Sequence, residues 1–208
     1  MKKGPAYPLL FLDTETTGHD PLRCVGGSLA MWHEIIEVGM VAVASDTLNV
    51  LGNFEIKITP KHPERCLPDL INHYPARAAR GEWNNAVSLP VAISELFLFC
   101  SERNVGPFAL IGQNFFFDWS FLSVALATCA VAEDEWSKFF HYAKLDTRSM
   151  AVQELAGPEG YDPKDYSLRG GLLQKRLCIP PEPLPHTALN GAYQAYHLYK
   201  ALAQKKSA

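Results

Sequence analysis

The sequence lacks an excess of positive charge. Its 208 residues include 19 lysines and arginines against 22 aspartates and glutamates, which gives a formal net charge of −3. A chain of this kind has no global basic field to attract a polyanion. If its partner is a nucleic acid, the phosphates must be met by a local group of basic side chains or by bound cations.

The sequence also lacks paired cysteines and long apolar runs. Its five cysteines are scattered without a C-x-x-C spacing, which favours free thiols in a reducing compartment over a disulfide framework. The uncharged segment 119–132 is shorter than the roughly 20 residues that span a bilayer. The apolar run near the N-terminus contains prolines and ends at Asp13, which predicts a buried first strand rather than a signal peptide. We therefore expect a cytoplasmic protein that does not enter a membrane.

What the chain does contain is an ordered series of strand and helix patterns. Its length and its 48% of hydrophobic residues suit a single domain over 1–208. Apolar or β-branched runs predict strands at 7–13, 34–45, 48–60, 108–112 and 142–146. Periodicity and capping signals predict helices within 88–106, 118–131, 147–155, 167–177 and 187–204, and 61–88 is expected to be irregular. This order predicts an α/β layer fold with a mixed sheet.

The motif DTETTG (13–18) has the clearest chemical character. Asp13 and Glu15 stand two residues apart in a predicted strand, so both carboxylates leave the same face of the sheet. An apolar strand has no structural need for two neighbouring like charges, which are costly to bring together unless a cation lies between them. The alternative is an ordinary turn at a strand end, with both acids solvated.

Two further motifs are weaker when taken alone. In GQNFFFDWSFL (112–122), Asp118 stands at the start of a predicted helix, where aspartate often serves as a cap. In PHTALNGAY (185–193), His186 stands at or just before the last helix, where a surface histidine is the simpler interpretation. These two motifs become significant only because they occur together with DTETTG in the same chain.

Together and in this order, the three motifs resemble those of the DEDDh family of 3′–5′ exonucleases, which includes proofreading polymerase subunits and ribonuclease T-like enzymes. Asp13 and Glu15 match the family's D-x-E motif. QNFFFD resembles its H-N-x-x-F-D motif, with glutamine in the first place and Asp118 in the last. His186 matches the histidine of its H-x4-D motif, but Gly191 stands where the acid is expected.

The resemblance covers roughly residues 7–204 and implies a ribonuclease H-like fold. This is an α/β fold with a five-stranded mixed sheet and helices on both faces. The resemblance also implies hydrolysis of phosphodiester bonds at the 3′ ends of single-stranded DNA or RNA. Two Mg²⁺ or Mn²⁺ ions would serve this reaction, and they would bring the positive charge that the surface lacks.

The resemblance assigns a role to each matched residue. Asp13 would bridge both ions, Glu15 would bind the ion that carries the nucleophile, and Asp118 would bind on the leaving-group side. His186 would take the proton from the attacking water, a task that suits its ordinary pKa. Substrate contacts would fall to Thr16, Thr17, Asn114 and Phe117.

Gly191 is the main departure from the family. The acid at this place would join Asp13 and Glu15 on the nucleophile-side ion, and glycine contributes no side chain. The adjacent Asn190 does not replace it, since one step along a helix rotates a side chain by about 100°. We expect impaired activity, restored by Gly191→Asp without movement of other groups. The alternative is an inactive nuclease-fold protein that binds nucleic acid or a protein partner, and the sequence leaves open whether the glycine is natural, engineered or a cloning change.

Three remaining features suggest contacts with partners. The segment 19–34 is longer than is usual in the family, and its Met31 and Trp32 are suited either to stacking on a terminal base or to packing within the protein. The segment 119–132 is uncharged on every face, which predicts a helix buried by the fold or by a partner, as in a homodimer. Phosphate-contact candidates, with a solvated surface role as the alternative, are Arg77, Arg80, Lys164, Arg169, Lys175 and Arg176.

Overall fold

The computed structural model describes residues 7–103, 106–155 and 172–205. The strands in chain order are β1 (Leu9–Thr16), β2 (Leu22–Val25), β3 (Ser28–Met31), β4 (Ile35–Val43), β5 (Val50–Lys57), β6 (Phe108–Gly112) and β7 (Phe140–Asp146). The helices are α1 (Tyr74–Ala79), α2 (Leu89–Ser101), α3 (Phe115–Thr128), α4 (Glu133–Trp136), α5 (Thr147–Leu155), α6 (Leu172–Leu177) and α7 (Ala188–Lys205). Of the helices in these ranges, none is both long and apolar enough to cross a bilayer.

The main sheet has five strands in the order β5-β4-β1-β6-β7. β4 pairs antiparallel with β1 and with β5, whereas β6 pairs parallel with β1 and with β7. The sheet is therefore mixed, and β1 lies at its centre. This confirms the predicted ribonuclease H-like α/β fold.

Helices cover both faces of this sheet because β1 is apolar on both of its sides. Leu10 and Leu12 face one way and pack with residues of α2 and α3. Leu9 and Phe11 face the other way and pack with residues of α7. The alternation of a strand then places the next two odd-numbered residues of β1 on the α7 face.

A glycine in β4 sets the position of α7. Gly39 pairs with Asp13 across the sheet, and a β-carbon at position 39 would collide with the backbone of Ala188 and Leu189. The first turn of α7 therefore lies directly on the sheet beside Asp13. The Thr187 hydroxyl accepts a hydrogen bond from the backbone N–H of Asn190 (3.2 Å), which caps this helix end.

The structure adds elements that the sequence pattern did not predict. The segment 19–34 contains the two-stranded hairpin β2–β3, and 61–88 contains α1 and a 3₁₀ turn, Pro63–Arg65. The short helix α4 also was not predicted. Of the predicted helix 167–177, only α6 falls in the described part of the chain, and Lys164 and Arg169 lie outside the described residues.

The surroundings of α3 remove the reason for expecting a homodimer. Within 119–128 of this helix only Ala127 and Thr128 are exposed, and the hydroxyls of Ser120, Ser123 and Thr128 each donate to a carbonyl of the same helix. These polar groups are therefore satisfied at a partly exposed surface without a partner. The homodimer prediction is not supported.

Candidate active site

The predicted acid pair lies on the face of β1 that α7 covers. Asp13 stands opposite Gly39 of β4, and Glu15 stands opposite Glu37. Glu37 thus adds a third acid to the row, and it is fully buried. Sequence reasoning missed Glu37 because its role depends on the strand register, which brings it beside Glu15.

His186 joins the acid pair from the loop before α7. Asp13, Glu15 and His186 offer one ligand atom each, and these atoms all lie within 4.8 Å of one another. His186 Nε2 is 3.3 Å from Glu15 Oε1, and His186 Nδ1 lies against Glu182 Oε1. The structure therefore brings together three of the predicted catalytic residues and adds Glu182, whose only sequence signal is its position four residues before the histidine.

Asp118 lies in the first turn of α3, which begins three residues earlier than predicted, at Phe115. It is buried, and its Oδ1 accepts hydrogen bonds from the backbone N–H and the hydroxyl of Thr14, at 2.8 and 2.7 Å. These bonds hold Asp118 next to β1, close enough that its charge raises the pKa of Asp13. It is not part of the group of three ligand atoms within 4.8 Å that Asp13, Glu15 and His186 form.

The acids of the site favour their protonated forms. Burial first, and then the charges of Asp118 and Glu15, raise the pKa of Asp13 well above its usual range. Burial also raises the pKa values of Glu15 and Asp118 to about 7 and that of Glu37 to about 8. Burial works to lower the pKa of His186, but the hydrogen bond and charge of Glu182 and the charge of Glu15 outweigh it, so this pKa is raised. The fully ionised form of the cluster is therefore costly for the protein without a bound cation.

Gly191 lies in the first turn of α7, directly against Asp13. A β-carbon at this position would lie 2.5 Å from Asp13 Cγ and 2.9 Å from Asp13 Oδ1, so the Asp13 carboxylate occupies the space of the absent side chain. This overturns the expectation that an aspartate at 191 enters without movement, since Asp13 must first rotate. The Asn190 side chain does not replace the missing acid, as predicted, because its Nδ2 donates to the carbonyls of Pro183 (3.4 Å) and Pro185 (3.2 Å).

Arg77 is a buried structural residue, which corrects its assignment as a phosphate contact. Its side chain is 1% exposed, and its Nη1 lies 3.4 Å from Glu37 Oε2 and donates to the His186 carbonyl at 3.2 Å. Its Nε donates to Glu82 Oε2 at 2.8 Å. Arg77 thus ties the acid row to the loop that carries His186. Arg80 is exposed and pairs with Glu82 at 2.9 Å.

The substrate-contact candidates lie around the same end of the sheet. The Thr16 hydroxyl donates to the Gly18 carbonyl (2.6 Å), and the Thr17 hydroxyl accepts from the Glu34 N–H (2.9 Å), so both are used within the turn after β1. Asn114 precedes α3 in a left-handed backbone conformation, with φ 61°. Phe117 is partly buried and packs against the core.

Trp32 already has two cationic neighbours. The guanidinium carbons of Arg23 and Arg65 each lie 4.6 Å from the centroid of its ring. Stacking of a base on this indole would require an arginine to move. Trp32 is only partly buried, so it is not a core residue either.

The donor set fits a divalent cation such as Mg²⁺ or Mn²⁺. Carboxylate oxygens are the ligands that these ions prefer. Among the described residues, no hydrogen-bond donor reaches the buried Oδ2 of Asp13. A cation between Asp13 and Glu15 would also remove the mutual repulsion that raises the pKa of Asp13.

Solved structures share this architecture. The nuclease domain of 3′hExo, described as a DEDDh family member bound to rAMP, superposes with a TM-score of 0.67 and 16% identity over 95% of this chain and 92% of that one. Escherichia coli exonuclease I in complex with a dT13 oligonucleotide gives a TM-score of 0.69 and 17% identity over 97% of this chain. This chain spans only 42% of the exonuclease I chain. At these identities the likeness shows the fold.

The family is shown by the sequence itself. No curated protein matches the sequence significantly. The RNase_T family model, described as "Exonuclease", matches residues 10–191, from the strand that carries the acid pair to the glycine beside Asp13. The match covers most of the chain and confirms the resemblance drawn from the three motifs: this protein belongs to the exonuclease family.

Proposed function

We propose that this chain is a metal-dependent 3′–5′ exonuclease that acts on single-stranded nucleic-acid ends, with its activity impaired by Gly191. One observation carries the proposal. The ligand atoms of Asp13, Glu15 and His186 converge within 4.8 Å at the end of a central strand. A buried group of acids with raised pKa values is expected where a cation and a reacting phosphate are bound. The whole range 1–208 would act as one exonuclease domain.

The residues of the site divide the work. Asp13 and Glu15 would hold one cation, and Asp118, fixed by Thr14, would help to hold a second. Bound divalent ions supply the positive charge that activates a water and stabilises a leaving oxygen. His186 accepts a proton at Nε2, the ring nitrogen that faces Glu15, while its Nδ1 is held against Glu182.

We expect impaired activity because the other acids near Asp13 already contact other side chains. The charges of Glu182 and Glu37 reach Asp13, since both raise its pKa. However, Glu182 contacts His186, and Glu37 pairs with Arg77 at 3.4 Å. Neither carboxylate is therefore available to replace the one that the family places at 191.

The terminal nucleotide would lie beside the turn after β1. Thr16, Thr17, Asn114 and Phe117 remain the candidates for its contacts, whereas Trp32 would contact it only if Arg23 or Arg65 moved off the ring. Because the hydroxyls of both threonines are used within the turn, we expect contact through their backbone groups. The bound rAMP of 3′hExo and the bound dT13 of exonuclease I recommend testing RNA and DNA alike.

A second function is a nuclease-fold protein that binds nucleic acid or a protein partner without cutting. The observation in its favour is that the Asp13 carboxylate fills the space at Gly191. In such a protein the acid cluster would have no catalytic role, and a bound strand would stay intact when metal is added.

The two functions are separated by digestion of single-stranded DNA and RNA with Mg²⁺, each labelled in turn at the 5′ and at the 3′ end. The exonuclease predicts a 5′-labelled ladder that shortens from the 3′ end and early release of the 3′ label as a mononucleotide. Asp13→Asn should abolish both, because it removes a charged ligand while keeping the shape of the side chain. Intact strands that are bound but never shortened, even at high protein concentration, would leave the binding protein as the function.

A further inference from the structure

Two arginines and a tryptophan form a compact cluster at the surface beside the site. Arg23 belongs to the hairpin strand β2, and Arg65 belongs to the 3₁₀ turn Pro63–Arg65. Both guanidinium groups lie over the Trp32 ring, each 4.6 Å from its centroid. An aromatic face orients a guanidinium group without cancelling its charge, so both positive charges stay available to a partner.

Nearby carboxylates do little to neutralise this cluster. In the part of the chain that the structure describes, no carboxylate forms an ion pair with Arg23. Arg65 has only Glu64 as an ion-pair partner there, with Nε 3.9 Å from Oε1 and the Glu64 side chain 66% exposed. Such a pair is weak in water. Burial lowers the pKa of His33 most, the charge of the exposed Asp20 raises it, and the charges of His19, Arg65 and Arg23 lower it further.

The cluster is anchored to the turn that follows the acid pair. The Thr17 N–H donates to the Glu34 carbonyl, and the Thr17 carbonyl accepts from the Leu67 N–H, both at 2.9 Å. Trp32 is two residues before Glu34, and Arg65 is two residues before Leu67. Since two extended residues span about 7 Å, the cluster lies within roughly 20 Å of the acid pair, a distance that a few nucleotides cover.

The segment that carries Arg65 is also held in place. The buried Glu34 carboxylate accepts hydrogen bonds from the backbone N–H groups of Lys61 (3.0 Å) and His62 (2.7 Å). Arg65 Nη1 donates to the Met31 carbonyl at 3.4 Å. The positive charge of Arg65 is therefore held in place before a ligand arrives, which lowers the entropy cost of binding.

We propose that the Arg23–Trp32–Arg65 cluster binds the phosphate backbone of a single strand upstream of its 3′ end. This inference rests on the proposed function, because the acid pair must receive the end of the same strand. A protein with a net charge of −3 needs local cations to hold a polyanion, and guanidinium groups match the geometry of phosphate oxygens. Trp32 then serves as the platform of the arginines rather than as a stacking partner for a base.

The test is fluorescence anisotropy with Ca²⁺ in place of Mg²⁺, so that the acid pair keeps a cation while its looser coordination disfavours cutting, with a 5′-labelled single strand of about twelve nucleotides and a labelled dinucleotide. Arg23→Gln and Arg65→Gln should each weaken binding of the longer strand by roughly three- to tenfold at low salt. Each should also reduce the salt slope by about 0.7. Binding of the dinucleotide should not change, because it is too short to reach from the acid pair to the cluster.

Three further variants sharpen the test. Arg80→Gln is the matched control for loss of one exposed arginine outside the cluster, and it should weaken binding of the longer strand less than either cluster variant. Trp32→Ala should weaken binding of the longer strand although it removes no charge, and Trp32→Phe should restore much of the loss.

A double Arg23→Gln, Arg65→Gln variant that binds the longer strand with the parent's affinity and salt slope would overturn this inference but not the proposed function. A parent protein that binds neither probe would overturn the proposed function with it.

Discussion

Gly191→Asp places a carboxylate where the family expects one, and the structure shows what must move. The new β-carbon would lie 2.5 Å from Asp13 Cγ, so the Asp13 side chain has to rotate out of the space that it now fills. Asp13 is short and its rotation is local, at a cost of about 0.5–1.5 kcal/mol if the new angle is off a rotamer. We therefore expect the variant to fold.

The charge has a larger effect than the contact. Two unit charges 4 Å apart at an effective dielectric constant of 20 interact by about 4 kcal/mol. The new carboxylate should therefore destabilise the metal-free protein by about 1–4 kcal/mol at pH 8. Gains from replacing a helical glycine and from an acid in the first turn offset up to about 1–2 kcal/mol. For a chain of this size the balance corresponds to a Tm lower by several degrees, which Mg²⁺ should reverse.

Gly191→Asn and Gly191→Ala are the matched controls. Asparagine has the shape of aspartate without its charge, and alanine adds only the β-carbon that meets Asp13. Calorimetry with Mn²⁺ should show at least tenfold tighter binding for the aspartate than for the asparagine variant, which is about 1.4 kcal/mol. Mg²⁺-dependent release of 3′ mononucleotides should be weak in the parent, strong in Gly191→Asp, and weak again when His186→Ala is added.

Two results would refute this reasoning. If the aspartate and asparagine variants fold and bind Mn²⁺ equally well, position 191 does not face the cation. If Gly191→Asp folds and binds metal more tightly but still releases no mononucleotides, the chain is not an impaired exonuclease, and the binding protein takes its place.

Further perturbations test other parts of the site. Arg77→Met should destabilise the protein by about 3–5 kcal/mol in urea unfolding, because it removes the buried cation beside Glu37 and the hydrogen bonds of Arg77 to Glu82 and to the His186 carbonyl. Exposed Arg80→Met should cost less than about 1 kcal/mol, and equal effects would contradict the burial of Arg77. Glu182→Gln should lower the pKa of His186 in an NMR titration of the metal-free protein, and an unchanged pKa would exclude their contact. The buried carboxyl groups bind protons more tightly in the folded protein than in the unfolded chain, so stability without metal should fall as the pH rises from about 4 to about 8, and Mg²⁺ should flatten this slope. A rise in metal-free stability over this range would contradict the raised pKa values. Mn²⁺ binding should be lost in Asp13→Asn, and identical titrations of variant and parent would refute the metal site.

Local sequence determined much of the catalytic set. Asp13 and Glu15 stand two apart in a strand, and the period of a strand alone places them on one face. The order of the three motifs identified the family, and with it the sheet and its helices. These features were predictable because each depends on spacing within a few residues or on order along the chain.

Register and packing decided the rest. Glu37 joins the acid row only because β4 pairs with β1 at that register, and Gly191 meets Asp13 only because Gly39 lets α7 lie on the sheet. The sequence around Arg77 predicts a surface residue, but its side chain is buried against Glu37 and His186, which lie 40 and 109 positions away in the chain. Contacts between residues so far apart leave no periodic or local signal, so only the tertiary structure could decide which charges are buried and which remain free to bind a substrate.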